Sequence, residues 1–235
     1  MKGGVCLPKP IIRTEDLTKT FVLGREKVTA LDRVNLTVEK GQICAVLGTS
    51  GSGKSTLLNM LAGLERPTSG AVYIGRHRID QMTERELTLF RQKFTGFVFQ
   101  SYNLIPSLTA LENVAMPLMF KGVGKEEREA KALKMLRLVG LENRKDHRPS
   151  EMSGGQQQRA GIARAFAADP QVIFADEPTG NLDSATTKHI MELVCALVHE
   201  KNSTMILVTH DNSVAAYADK VIRITDGKVT EETIT

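Results

Sequence analysis

The chain has 235 residues, 41% of them hydrophobic and 25% charged, a mix that can bury a core. Those proportions exclude a disordered, collagen-like or disulfide-stapled chain. The 31 Lys and Arg against 27 Asp and Glu leave a net charge of +4. With no long one-sign block, that is weak ground for a nucleic-acid partner.

Met1-Lys2-Gly3-Gly4 leads to Pro8 and Pro10 and not to an apolar stretch, so no signal peptide is expected. The cysteines, Cys6, Cys44 and Cys195, are odd in number and form no C-x-x-C, which predicts free thiols in a reducing compartment. Ile11 to Leu17, Val34 to Val38 and Gln42 to Leu47 read as strands, the last two joined by a turn at Glu39-Lys40-Gly41. Ala71 to Ile74 follows the turn Pro67-Thr68-Ser69-Gly70 as another. From about Thr83 to Arg164 helical patterns dominate, interrupted by the short strand Gly96 to Phe99. Lys125 to Val139 reads as one amphipathic helix, with Ala132, Leu133, Leu136 and Val139 on one face and Gly140 as its stop. Val172 to Ala175 and Met205 to Val208 are fully apolar, as strands covered on both faces are. Between them Ser184 to Glu200 keeps Ile190, Leu193, Val194, Leu197 and Val198 on one helical face. Val221 to Ile224 and Val229 flank Asp226-Gly227, a hairpin signal. Strand–helix alternation with buried strands predicts α/β with a largely parallel sheet. A helical subdomain of about Gln100 to Arg148 is expected as an insertion in one domain spanning 1–235. No apolar run approaches the ~20 residues a bilayer-spanning helix needs, so membrane association would go through a partner.

Gly48-Thr49-Ser50-Gly51-Ser52-Gly53-Lys54-Ser55, followed by Thr56, fits G-x-x-x-x-G-K-[ST]. An apolar strand precedes it and a helical pattern follows, the context in which such a loop cradles phosphates. The glycines let successive N–H groups turn toward phosphate oxygens, and the helix N-terminus adds its positive dipole end. Lys54 is placed to reach the β- and γ-phosphates and the Ser55 hydroxyl to ligate Mg²⁺. These residues alone indicate binding of ATP or GTP.

Asp176 ends the apolar strand Val172 to Ala175, where a carboxylate beside a phosphate loop can hold Mg²⁺. Glu177 follows and can orient a water and accept its proton. His210 ends the strand Met205 to Thr209, at the carboxyl edge where α/β ligand sites form. It could hydrogen-bond a γ-phosphate oxygen or Glu177. His77, His147, His189 and His199 lack such a setting and read as surface or packing residues.

Met152-Ser153-Gly154-Gly155-Gln156-Gln157-Gln158-Arg159 opens an Ala-rich helix. Alone, Ser-Gly-Gly is a helix cap with a flexible lead-in. Between the phosphate loop and Asp176-Glu177 it resembles the signature motif of ATP-binding-cassette (ABC) ATPases. The resemblance runs from about Ile12 to Val229. Gln100, after Gly96-Phe97-Val98-Phe99, resembles the Q-loop, Asn181-Leu182-Asp183 the D-loop and His210 the switch histidine. Phe99 to Pro106, Leu108 to Val114 and Thr179 to Ser184 resemble the branch of macrolide-exporter and lipoprotein-release ATPases, whose members pair with membrane permeases.

That resemblance implies a P-loop NTPase core with a mostly parallel sheet, an N-terminal antiparallel β-subdomain and the inserted helical subdomain. It implies an ATP hydrolase that uses Mg²⁺, with Lys54, Glu177 and His210 catalytic and Ser55, Gln100 and Asp176 around the metal. Phe21 and the segment Gly48 to Thr56 would bind ATP. Ser153, Gly154, Gly155 and Gln156 would close on the ATP of the other subunit of a head-to-tail homodimer, with Asp183 in its D-loop. The partner would be a transmembrane permease, with no nucleic acid. The place would be the cytoplasmic face of the cell (inner) membrane, peripheral through the permease. The surface from Gln100 to Lys121 carries more apolar residues than a free surface needs, Tyr102, Leu104, Ile105, Leu108 and Leu111, and would dock that permease; the alternative, above all for Leu108 and Leu111, is packing inside the helical subdomain.

Three positions depart from the family pattern. Phe21 stands where Tyr commonly stacks on adenine, and stacking needs only the ring; plain core packing is the alternative. Met152 replaces Leu before Ser153, and Gly161 replaces Ala within a helix, at a cost of about 1 kcal/mol unless close packing compensates. Two other functions compete. A soluble ABC ATPase acting on nucleic acid or ribosomes usually carries two cassettes or a long coiled coil, and this chain has neither. A non-hydrolysing regulatory cassette is disfavoured by the intact Lys54, Asp176, Glu177 and His210.

Overall fold

The computed structural model describes residues 10–24 and 26–234. Cys6, one of the three expected thiols, lies outside the described residues; Cys44 and Cys195 are free.

The chain opens as β1 (Pro10–Leu23), which runs on past the expected Leu17. Asp16, at φ 46°, and a shifted register near Lys19 bend it, so it serves two sets of neighbours. Its first half pairs with β3 (Thr37–Glu39) and β5 (Ser69–Ile74), and its second with β2 (Glu26–Val34). All are antiparallel, and β6 (His77–Arg78) extends β5. Strand β2 is absent from the sequence reading because most of it faces solvent and carries no alternation. The expected strand Val34 to Val38 is interrupted. Arg33 takes φ 48°, and Asn35 donates from Nδ2 to Asp16 Oδ1 at 3.0 Å, turning the chain between β2 and β3.

Among the described residues the second sheet has the order β11-β10-β4-β9-β8-β7. It comprises β4 (Ile43–Leu47), β7 (Thr95–Phe99), β8 (Val172–Asp176), β9 (Thr204–Thr209), β10 (Lys220–Thr225) and β11 (Lys228–Ile234). All neighbours are parallel except the β10–β11 hairpin. Its turn, Asp226 at φ 48° and Gly227 at φ 74°, has the two left-handed residues such a hairpin requires. The sheet divides the core by side-chain alternation. Ile43, Ala45, Leu47, Ile173, Ala175, Met205 and Leu207 face one layer. Cys44, Val46, Val172, Phe174, Ile206 and Val208 face the other. Each of β4 and β9 is buried along its whole length, and the polar residues of β9, Thr204 and Thr209, stand at its two ends.

On the second face lie the antiparallel sheet, α1 (Lys54–Leu61) and α2 (Glu84–Phe94). On the first lie α3 (Ala110–Phe120), α4 (Lys125–Leu138), α5 (Gly154–Phe166), α6 (Ser184–Lys201) and α7 (Asn212–Ala215). Three helices begin with a capping box, Thr83 with Glu86, Thr109 with Glu112 and Ser153 with Gln156. Each satisfies two backbone donors that a helix end otherwise strands. Asn113, fully buried on α3, accepts from Ile105 N at 2.7 Å. It donates to the carbonyls of Ile105, Leu108 and Thr109, which pins the loop ahead of its own helix. The loop after β7 is fixed from the other side. Tyr102 and Asn103 take φ 61° and 48°, and the buried Arg164 guanidinium donates to both of their carbonyls. Burial lowers the Arg164 pKa.

Within the expected docking surface, Leu104 is buried and Tyr102 and Leu111 pack against the core. The exposed apolar side chains there are Ile105, Met119 and Phe120. Close approach does not account for Gly161: a Cβ there would meet only the Tyr102 carbonyl, at 3.5 Å, an ordinary contact, and nothing in the structure explains the glycine.

Candidate functional site

At the carboxyl ends of β4, β8 and β9 a pocket of about 860 Å³ opens. The loop from β4 to α1 forms its floor, with Gly48, Thr49, Ser50, Gly51, Gly53, Lys54, Ser55 and Thr56 on its wall. The glycines are required by the path. A Cβ at Gly48 would lie 2.4 Å from the Ile224 carbonyl, and one at Gly53, where φ is 105°, 2.4 Å from the Ala30 carbonyl. Ser52 points inward; its Oγ is buried and has no hydrogen-bond partner among the described residues. Lys54 is almost wholly buried, its Nζ donating to Thr49 O at 2.7 Å. The first turn of α1 has no intrahelical acceptors for its N–H groups, so these face the pocket as ready anion donors.

Ser55 Oγ donates to Asp176 Oδ1 at 3.4 Å. Burial raises the Asp176 pKa, with the Ser55 hydrogen bond opposing, Glu177 adding to the rise and Lys54 opposing it. The site therefore favours a positive charge beside this carboxyl. Among the described residues no three His, Cys, Asp or Glu side chains cluster as a metal cage. A hydroxyl and one carboxylate fit Mg²⁺, which takes its other ligands from phosphate oxygens and water.

Glu177 follows on a strained backbone, φ 44°, held by Glu177 N donating to Val208 O at 3.0 Å and Gly180 N donating to Glu177 O at 3.1 Å. Its Oε1 lies 2.9 Å from His210 Nδ1, and both side chains line the pocket. A carboxylate fixed by an imidazole, opposite a phosphate cradle, can orient a water for in-line attack.

The structure brings Gly48 to Gly51, Gly53 to Thr56, Glu177 and His210 to one wall. It adds Ala30, Asn212, Arg223, Ile224 and Thr225, which the sequence reading missed. Ile224 and Thr225 reach the site because β10 lies beside β4, a pairing between distant segments. Arg223 donates weakly to Asn212 Oδ1 at 3.5 Å and pairs with Glu231 at 3.0 Å.

Other expected residues do not line the pocket. Gln100 sits at the end of β7, its Nε2 donating to Asn181 Oδ1 at 3.4 Å while Asn181 Nδ2 returns a bond to the Gln100 carbonyl at 3.1 Å. Phe21 is half-exposed on β1 with the Lys19 ammonium 4.9 Å over its ring, and it is not part of the core. Ser153 caps α5 as an exposed residue. Gly154 and Gly155 lie against Tyr102 and Thr186, where a Cβ would approach to 2.8 and 3.1 Å. Asp183 caps α6, Oδ1 accepting from Thr186 N at 2.9 Å and Oδ2 from Thr186 Oγ1 at 2.6 Å, which lowers its pKa. The buried Gln158 side chain of α5 donates to the Pro178 carbonyl, one residue beyond Glu177.

Comparison with known proteins agrees with this geometry. The family pattern described as ABC transporter matches residues 31–180. The chain is 47% identical over 226 residues to an uncharacterized ABC transporter ATP-binding protein, MJ0796, of Methanocaldococcus jannaschii, covering 94% of this chain and 96% of that protein. It is 44% identical over 222 residues to the lipoprotein-releasing system ATP-binding protein LolD of Chromohalobacter salexigens, covering 94% of each. It is 43% identical over 224 residues to the macrolide export ATP-binding/permease protein MacB of Vibrio parahaemolyticus, covering 95% of this chain but 34% of that one. The dimeric, post-hydrolysis structure of the MJ0796 cassette bound to ADP and Pi superimposes with a TM-score of 0.88 at 44% identity, over 95% of this chain and 98% of that one. With its phosphate loop, Glu177 and His210 in one pocket, the chain belongs to the ABC transporter family and is one of its ATP-binding, ATP-hydrolysing subunits.

Proposed function

We propose that the pocket binds Mg-ATP and that Glu177 drives its hydrolysis within a head-to-tail pair of these chains, moving a transmembrane permease. Lys54 and the N–H groups around Gly51 to Thr56 hold the β- and γ-phosphates. Ser55 and Asp176 hold Mg²⁺, with the Gln100 side-chain oxygen as a further ligand. The ion, when bound, neutralises charge on the phosphate oxygens. Phe21 offers its ring to the adenine. Glu177 orients a water and takes its proton as the water oxygen bonds to the γ-phosphorus; the bridging bond breaks, and its electron pair stays on ADP. His210 keeps the Glu177 carboxylate aimed and hydrogen-bonds the γ-phosphate.

The second subunit completes the cage. Ser153, Gly154, Gly155 and Gln156 form a helix N-terminus, suited to an anion, that is not on the wall of their own chain's pocket. Asp183 belongs to the same facing surface. The dimeric cassette of the relative MJ0796, described as holding ADP and Pi, supports this pairing. The helices between Gln100 and Arg148 read as one subdomain within a single 1–235 domain, set to move with the phosphates through Gln100.

The permease is assigned to an apolar groove of about 590 Å³ between β7, α2, α3 and α5, walled by Phe97, Phe99, Met116, Pro117 and Phe120. It begins at β7, the strand that Gln100 follows, so a partner seated there senses the nucleotide. No helix of the described residues is long and apolar enough to cross a membrane. We place the chain at the cytoplasmic face of the inner membrane, held there by the permease and with no nucleic-acid partner, a reading supported by its likeness to the lipoprotein-releasing system ATP-binding protein. The relative described as an ATP-binding/permease protein supports such a pairing.

The observation that carries this reading is the Glu177–His210 contact facing the phosphate cradle across one pocket. The test is phosphate production from Mg-ATP by the purified chain, with and without the permease. Release unchanged by His210→Ala, or independent of Mg²⁺, contradicts the assignment. Capture of the permease that survives Phe120→Glu together with Met116→Glu contradicts the groove.

A further inference from the structure

One carboxamide, that of Asn181, meets Gln100 twice. Gln100 Nε2 donates to Asn181 Oδ1 at 3.4 Å, and Asn181 Nδ2 donates to the Gln100 carbonyl at 3.1 Å. The bond to the carbonyl orients the Asn181 side chain so that its oxygen faces the Gln100 amide. Gly180 makes room for the contact. A Cβ on it would lie 2.7 Å from Gln100 Nε2 and 3.2 Å from Glu177 Oε2, so the amide rests where a side chain would otherwise stand. Asn181 is the fixed member of the pair. Gly180 N donates to Glu177 O at 3.1 Å, Leu182 N donates to Thr179 O at 3.0 Å, and the buried Gln158 side chain holds the Pro178 carbonyl. Gln100 is the free member. It follows β7 where Phe99 stands opposite Asp176, so it leaves the strand next to the carboxylate assigned to Mg²⁺. It does not line the pocket, and its amide is turned instead to Asn181.

We propose that Asn181 is a positioning residue for the metal site: it holds Gln100 turned away from the pocket in the nucleotide-free chain and releases it as Mg-ATP binds. The inference rests on the preceding reading that the Gln100 side-chain oxygen is a ligand of Mg²⁺. Where the amide now stands, that oxygen is off the pocket wall, so ligation requires the side chain to swing and the 3.4 Å bond to break. Metal binding is therefore opposed by the hold of Asn181. Both bonds are exposed, and water replaces such bonds at little net loss, so the hold is weak and reversible. Asn181 and Gly180 thereby set how much Mg²⁺ adds to nucleotide affinity, without touching nucleotide or metal themselves.

The test reads metal binding without turnover. A fluorescent, non-hydrolysable ATP analogue is titrated into the purified chain with Mg²⁺ and again with a chelator. The ratio of the two Kd values is the contribution of the metal, and a general change in nucleotide binding cancels from it. Gln100→Ala should lower the ratio. Asn181→Ala should raise it by about threefold, the scale of a weak exposed hydrogen bond. Gly180→Ala should raise it too, because its methyl group takes the place of the amide at an ordinary backbone conformation. Asn181 is exposed, so its truncation leaves the core untouched. In the Gln100→Ala background Asn181→Ala should change nothing, whereas an effect through the fold would persist. A ratio that is unchanged or lowered in Asn181→Ala overturns the proposal, and so does a rise that survives the loss of Gln100. If Gln100→Ala alone leaves the ratio at the parent value, the ligand reading falls and the proposal with it. A lowered ratio there, beside an unmoved Asn181→Ala, overturns the proposal alone.

Discussion

His210 Nδ1 lies 2.9 Å from Glu177 Oε1, although the two residues stand at the ends of different strands, β9 and β8, and 33 positions apart in the chain. The contact is made because β8 and β9 are parallel neighbours in register, with Asp176 opposite Val208. Glu177→Gln keeps the size of the side chain and removes its charge. It should bind ATP at least as well as the parent chain and turn it over slower by roughly 10²-fold or more, a typical loss for a general base. Size-exclusion chromatography with Mg-ATP should show the variant as a dimer, while the parent stays mainly monomeric as ATP is consumed. A variant that retains ATP as a monomer, or hydrolyses at the parent rate, removes Glu177 from the role.

Lys54→Ala deletes a buried ammonium whose nucleotide-free partner is the Thr49 carbonyl. Charge-assisted hydrogen bonds contribute about 1.5–3 kcal/mol each, so ATP affinity should fall by at least tenfold, with weaker loss for ADP. Titration of fluorescent nucleotide checks this, and an unchanged Kd for ATP would falsify the assignment.

Asp176→Asn should raise the stability of the nucleotide-free, metal-free chain near neutral pH. Burial raises the folded pKa of Asp176 above its ordinary value, so the folded state binds this proton more tightly than the unfolded one. The parent then loses stability as pH rises from the ordinary aspartate value through the raised one, and stays at the lower level above it. The Tm advantage of the Asn variant should appear across that window and vanish in acid below it. A Tm difference that is independent of pH speaks against a charge effect.

Gly48→Ala and Gly53→Ala each force a methyl group against a carbonyl at 2.4 Å, the latter also at a left-handed φ. The left-handed conformation alone costs about 1–2 kcal/mol for a residue with a Cβ. Gly51→Ala, whose Cβ meets nothing within 4 Å, pays only that conformational cost. Thermal denaturation should therefore rank Gly53→Ala below Gly51→Ala. The reverse order would mean that the loop relaxes freely.

Much of this site was legible because its parts are local. The phosphate loop, the strand-end Asp176 and Glu177, and the Ser153 cap are each contained in one short run flanked by strong strand or helix signals. The central strands were equally clear, since Val172 to Ala175 and Met205 to Val208 are apolar throughout. What stayed hidden depends on long-range pairing or on exposure. Strand β2 alternates too weakly to register, because only Leu31 and Val34 along it are buried. Ala30 and Thr225 reach the pocket through strand packing that no local pattern encodes. Leu104 and Tyr102 read as a sticky surface, yet Arg164, some 60 positions away, folds that loop inward.

Glu177 stands where its own backbone would sooner have glycine or asparagine. Any drift toward greater thermal robustness at this position would reward the loss of the carboxylate, since relief of a left-handed φ is immediate and local. On the role proposed for Glu177, robustness and turnover are thus set against each other at one residue, and the two backbone bonds that clamp it, to Val208 and from Gly180, hold its strained backbone in place.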